Sequence, residues 1–195
     1  EKTGAIVKKA QWIEKNGKLA KVLVEKPGKS TLNGQIIEKI YVTETDYTHT
    51  GNVITATEKR YFKDTQGNKL DGNTSLTTYT YTFENENLIK VTESTTEYYS
   101  TTEYTYDEKN NPLFQNFTKL MDPEYFNDAK NSKNNILTRK TTDKYNYNSS
   151  TIVNEQVYEY TYADDNYPLT QKIFQKTTEN GVEKKELGET TEYAY

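Results

Sequence analysis

Leu76-Thr77-Thr78-Tyr79-Thr80-Tyr81-Thr82-Phe83-Glu84 alternates, from Thr78 on, between small polar groups and aromatic rings. Successive side chains of a strand point to opposite faces, so Tyr79, Tyr81 and Phe83 share one face and Thr78, Thr80 and Thr82 the other. The device recurs as Tyr104-Thr105-Tyr106, Tyr145-Asn146-Tyr147, Tyr160-Thr161-Tyr162 and Tyr193-Ala194-Tyr195. The pattern predicts antiparallel hairpins with one aromatic face.

Working outward, residues 11–15 and 19–26 flank Asn16-Gly17, a strong hairpin signal, and Pro27-Gly28 then breaks the chain. Residues 35–47 form a long strand, which Gly51-Asn52 turns into 53–63. An irregular loop, 64–75, precedes the quoted strand, and Asn85-Glu86-Asn87 leads on to 88–98. Further strands are read at 101–107, 113–118, 135–148, 152–163, 169–178 and 182–195. The expected fold is all-β: an antiparallel meander of about twelve strands, curled into an open or nearly closed barrel. Residues 119–134 interrupt it within a single domain, 1–195. There Asp122-Pro123-Glu124 reads as a helix start, and Leu120, Met121, Tyr125 and Phe126 as an apolar side. The segment is expected to be a short helix or loop that plugs or covers the aromatic face.

Composition narrows function. The 195 residues carry a net charge of −4, with Lys and Arg interspersed among Asp and Glu, which argues against nucleic acid as a partner. Hydrophobic residues are only 32%, so the 18 Tyr must supply much of the core, and their hydroxyls need partners. There are no cysteines, hence no disulfide, thiolate metal site or thiol nucleophile. No apolar run reaches transmembrane length and no signal peptide is present; a start at Glu1-Lys2-Thr3-Gly4 reads as a trimmed chain.

Tyr104-Thr105-Tyr106-Asp107 resembles the tyrosine–aspartate repeats of Rhs-type toxin shells, although Thr82, Asn148 and Ala163 replace the Asp in other copies. Three further elements are closer to a Bacteroidetes lipoprotein family of unknown function with a porin-like all-β fold. They are Tyr106-Asp107-Glu108-Lys109-Asn110-Asn111-Pro112-Leu113-Phe114, Ser132-Lys133-Asn134-Asn135, and the Tyr-rich strand and turn from Tyr160 to Leu169. The resemblance implies a secreted, extracytoplasmic protein of the periplasm or outer-membrane surface. It would meet the membrane only through a lipid on a cysteine upstream of Glu1. It brings no catalytic residues.

His49, the lone histidine, reads as a solvated turn residue without a triad. Glu97, Glu103, Glu159 and Glu192 lie opposite the Tyr positions, where they keep a sheet soluble. Residues 64–73 and Asp164-Asp165-Asn166 hold oxygen ligands, but in turn-forming rather than calcium-loop spacing. A transmembrane barrel conflicts with the Thr, Glu and Lys of one face and the Asn and Gln of the other. The expectation is therefore a non-enzymatic monomer with no metal, cofactor or catalytic residue. Its Tyr-lined concave face would bind a small amphiphile or glycan through Tyr79, Tyr81, Tyr104, Tyr106, Tyr160 and Tyr162, with Tyr125 and Phe126 from the inserted segment. The alternative is a structural or adhesive surface module with a filled interior; a carbohydrate-active enzyme stands third.

Overall fold

Spatial order equals chain order throughout one 11-stranded antiparallel sheet. Its strands are β1 (Lys9–Lys15), β2 (Lys18–Leu32), β3 (Gln35–Thr50), β4 (Val53–Lys63), β5 (Ser75–Glu84) and β6 (Asn87–Ser94), then β7 (Tyr98–Tyr106), β8 (Ile136–Tyr145), β9 (Thr151–Tyr162), β10 (Pro168–Glu179) and β11 (Val182–Glu192). The computed structural model describes residues 9–32, 35–70, 72, 74–114, 127–147, 149–179 and 182–194. Within these, β1 and β11 are the sheet edges and do not pair, so the barrel is open. No helix among the described residues is long and apolar enough to cross a membrane.

The hairpins form for the reason read from the sequence. Asn16 (φ 55°) and Gly17 (φ 72°) both take the left-handed conformation that a two-residue turn between twisted strands requires. Asn85 (φ 49°) and Glu86 (φ 65°) do the same between β5 and β6. Glu86 is an unusual occupant, and Lys133 holds it: the Lys133 N–H donates to Glu86 O at 3.2 Å, and Nζ reaches the carboxylate at 3.0 Å.

The structure corrects several expectations. Pro27-Gly28 does not break the chain, because β2 runs through to Leu32 in continuous register with β3. Pro27 stands opposite Ile40 of β3, two residues past Glu25, the partner of the first described residue of β1. Gly28 is needed there: a Cβ would sit 1.9 Å from the Tyr41 ring, which lies across the backbone. Of the strand expected at 113–118, Leu113 lies in a turn and 115–118 fall outside the described residues. The described residues hold eleven strands, in the open antiparallel meander that the sequence predicts. Tyr147 lies in a turn and is 78% exposed, so the Tyr145 copy of the repeat has only one ring on a strand.

The aromatic face is the covered one. Leu19, Val22, Ile54, Ala56, Tyr81, Phe83, Leu88 and Ala129 form the buried cluster, with Tyr47, Tyr79, Tyr104 and Ile136 packed on it. Tyr81 is buried, while Tyr79, Tyr104, Tyr106, Tyr160 and Tyr162 are half-buried. Thr105 and Thr161 are exposed and pair across strands with Thr138 at 2.6 Å and Thr170 at 2.7 Å. Thr80 departs from that pattern and is half-buried.

Of the inserted segment, residues 127–134 are described, and they include a short 3-10 helix, Ala129–Asn131. Asp128 caps it by accepting the Lys130 N–H at 3.0 Å, and Ala129 is pressed into the buried cluster. Leu120, Met121, Tyr125 and Phe126 lie outside the described residues.

Candidate functional site

Two arrangements grow from the aromatic face: a hydrogen-bonded hub among loops, and a hollow beside it. Asp107 follows β7 and is the centre of the hub. Its Oδ1 accepts the N–H groups of Lys109 and Asn135, both at 3.0 Å. Its Oδ2 accepts Asn135 Nδ2 at 3.2 Å and the Tyr162 hydroxyl. Asn135 Nδ2 also reaches Asn110 O at 3.1 Å, and Asn134 exchanges two 3.0 Å bonds with Asn87. Asn111 Nδ2 ties down the carbonyls of Lys130 and Ser132, at 2.8 and 2.6 Å. Ser132 Oγ accepts the Leu88 N–H and donates to Tyr106 Oη, each at 3.0 Å, while the Tyr106 hydroxyl donates to Leu88 O at 2.6 Å. Asn110 Nδ2 donates to Asp165 O at 3.1 Å. The segments 106–114, 132–135 and 160–169, separate in sequence, thus meet in one network that satisfies loop backbone groups.

The hub holds the 127–130 segment at the edge of a hollow of about 630 Å³. Tyr79 and Tyr81 on β5, Tyr104 on β7, Tyr158 on β9 and Tyr193 just after β11 supply its rings. Val91, Ile136 and Ile173 add apolar wall, and Glu93, Arg139, Gln171, Asp128 and Lys130 add polar groups. Tyr79 and Ile173 border the same space although β6, β7, β8 and β9 lie between their strands, so the sheet is strongly curled. A second hollow of about 320 Å³ adjoins it through Arg139 and is lined by Thr141, Asn154, Gln156 and Gln175.

The phenols stay neutral. Burial pushes the Tyr79 hydroxyl up to about 12, with the Glu93 carboxylate adding to the effect. Burial raises Tyr81, Tyr104 and Tyr158 as well, the Arg139 guanidinium opposing the rise at Tyr104 and Tyr158. The acids here have partners. Glu93 accepts from Tyr79 at 3.4 Å and from the Tyr98 hydroxyl, and Asp128 pairs with Lys130 at 2.8 Å.

Of the residues expected to bind a ligand, Tyr79, Tyr81 and Tyr104 line the hollow. Tyr106 and Tyr162 are turned to the hub instead, and Tyr160 accepts from Gln171 Nε2 at 2.8 Å behind the lining. Tyr125 and Phe126 lie outside the described residues. Tyr158, Arg139 and Gln171 were missed. Tyr158 was within reach, since it lies two residues before Tyr160 on the same face.

His49 is also corrected. It belongs to β3 rather than to a turn, pairs with Ile54, and is half-buried. Its Nε2 lies 2.8 Å from Leu19 O, which requires Nε2 to carry the proton and donate. Among the described residues no group of three His, Cys, Asp or Glu is placed to hold a metal. Asp64 spends its carboxylate on Asn68, accepting the backbone N–H at 2.8 Å and Nδ2 at 2.9 Å. No family model, curated protein or solved structure matches the chain.

Proposed function

We propose that this chain is a non-enzymatic, extracytoplasmic binding domain that takes a small amphiphile or glycan into the Tyr-lined hollow. The observation that carries this reading is the shared border of Tyr79, Tyr81, Tyr104 and Tyr158 with Gln171 and Arg139 around about 630 Å³. Sites for small ligands have volumes of about 300–1,000 Å³ and combine ring or apolar walls with a few polar groups. The amides of Asn154, Gln156 and Gln175 in the adjoining hollow extend the polar side and favour a glycan over a fatty chain. A filled structural module would have no need to leave this space.

Catalysis is not part of the reading, because Glu93 and Asp128 are both engaged by neighbouring donors. Extracytoplasmic placement and a lipid anchor rest on the lipoprotein resemblance carried by residues 106–114, 132–135 and 160–169.

The test is a glycan array together with a lipid-extract panel, followed by calorimetry on the hits. The expected result is saturable binding of a glycan or amphiphile that Tyr104→Ala abolishes. Binding to nothing in either panel, or binding indifferent to Tyr104, would leave the structural-module reading in its place.

A further inference from the structure

The charged groups of the concave face are not balanced alike. The other arginine of the chain, Arg60, faces the same side and holds Glu58 at 2.7 Å. Asp128 has Lys130, Glu93 has two phenols, and Asp143 accepts the Ser100 hydroxyl at 2.6 Å. Arg139 makes no ion pair among the described residues. Its cross-strand partners are Tyr104 on β7 and Gln156 on β9, and Thr141 and Tyr158 stand beside it. Glu186 lies on the same face, in register with Gln175 and thus three strands from Arg139, about 14 Å along the sheet at ordinary strand spacing. Arg139 is exposed and is the residue common to the two hollows. The groups beside Arg139 in the sheet are neutral; Glu93 and Asp128 share its hollow but are engaged by their own donors, and Glu189 stands on the same face two strands from Tyr158, across Ile173. A planar guanidinium so placed, with open space on both sides, suits a two-pronged oxyanion.

We propose that the hollow takes an acidic glycan, with Arg139 binding a carboxylate or sulfate on a sugar that lies against Tyr104 and Tyr158. The inference rests on the glycan reading above. Tyr79, Tyr104 and Tyr158 supply ring faces for the sugar, while Gln156, Gln171 and Gln175 supply amides for its hydroxyls.

The experiment titrates the purified chain by calorimetry with three probes of matched length: an oligogalacturonate, a sulfated galacto-oligosaccharide and a neutral galacto-oligosaccharide. At low salt at least one acidic probe should bind about tenfold or more tightly than the neutral one, as a charge-assisted contact implies. The preference should shrink as salt is raised, because Arg139 is open to solvent. Arg139→Gln should remove the preference by weakening the acidic probe about tenfold or more beyond any loss at the neutral one, with the melting temperature unchanged, and Arg139→Lys should keep part of the preference. Whichever acidic probe binds better identifies the oxyanion. Equal binding of acidic and neutral probes, or a preference that survives Arg139→Gln, overturns this inference and leaves the glycan reading standing. Binding of none of the three overturns this inference, and an amphiphile bound instead assigns the hollow to the amphiphile arm of the proposed function.

Discussion

The hub around Asp107 and the hollow beside it are built from the same residue type and use it in opposite ways. In the hub, the hydroxyls of Tyr106 and Tyr162 are tied to Leu88, Ser132 and Asp107. In the hollow, Tyr79 makes only a long 3.4 Å contact to Glu93, and the rings of Tyr79 and Tyr81 stack at 6.3 Å along the wall of open space. A Tyr therefore serves as a fastener where loop backbone groups converge on its hydroxyl, and as a surface where the curl of the sheet leaves room over its ring. Stability should concentrate in the first region and binding in the second.

Leu88→Ala should cost the most, about 2–5 kcal/mol, since the side chain is 1% exposed where the core meets the hub. Urea denaturation with an unchanged m-value would measure it. Asp107→Ala should follow at about 2–4 kcal/mol, because it strands the Lys109 and Asn135 N–H groups, the Asn135 amide and the Tyr162 hydroxyl. A loss below about 1 kcal/mol there would mean that the hub holds nothing the strands do not already hold.

Alkaline titration sharpens the comparison further. Burial lifts Tyr47 and Tyr79 from an ordinary 10 to about 12. The folded state favours their protonated forms, so this stability is fully present below pH 10 and is lost as pH rises towards 12. Phenolate absorbance should therefore rise together with loss of the sheet's circular dichroism. Phenols that ionise near pH 10 in an intact sheet would show that the aromatic face is wet throughout.

Tyr158→Phe should cost only about 1 kcal/mol or less, since its hydroxyl gives up one 3.1 Å bond to Gln156. Binding should nevertheless weaken if that hydroxyl contacts the ligand. Ile36→Thr, far from both regions and 71% exposed, should change stability by no more than about 0.5 kcal/mol in thermal melts. A larger effect would show that the β2–β3 ribbon carries stability assigned here to the hub.

Alternation by itself determined which face of β5, β7 and β9 is covered, because a strand's period of two leaves Tyr and Thr no choice but opposite sides. Asn16-Gly17 likewise determined a turn, because both residues tolerate a left-handed backbone. Meander order followed from short connections, except across 64–74 and 107–135, where neighbouring strands pair in spite of a long connection. The hub was half legible: its three segments were singled out as the elements that carry the lipoprotein resemblance, but nothing in them says that Asp107 meets Asn135 and Tyr162. That depends on loops at one end of the sheet converging in space. The hollow was decided by tertiary structure alone. Register shifts at Thr82/Phe83, Thr105/Tyr106 and Ile173/Phe174 accompany the curl that brings β5 opposite β10. Periodicity assigns each side chain a face, but it carries no information about which strands face one another across that curl. For that reason Tyr104 could be read as a wall residue, while the open guanidinium of Arg139 became visible only in the folded chain.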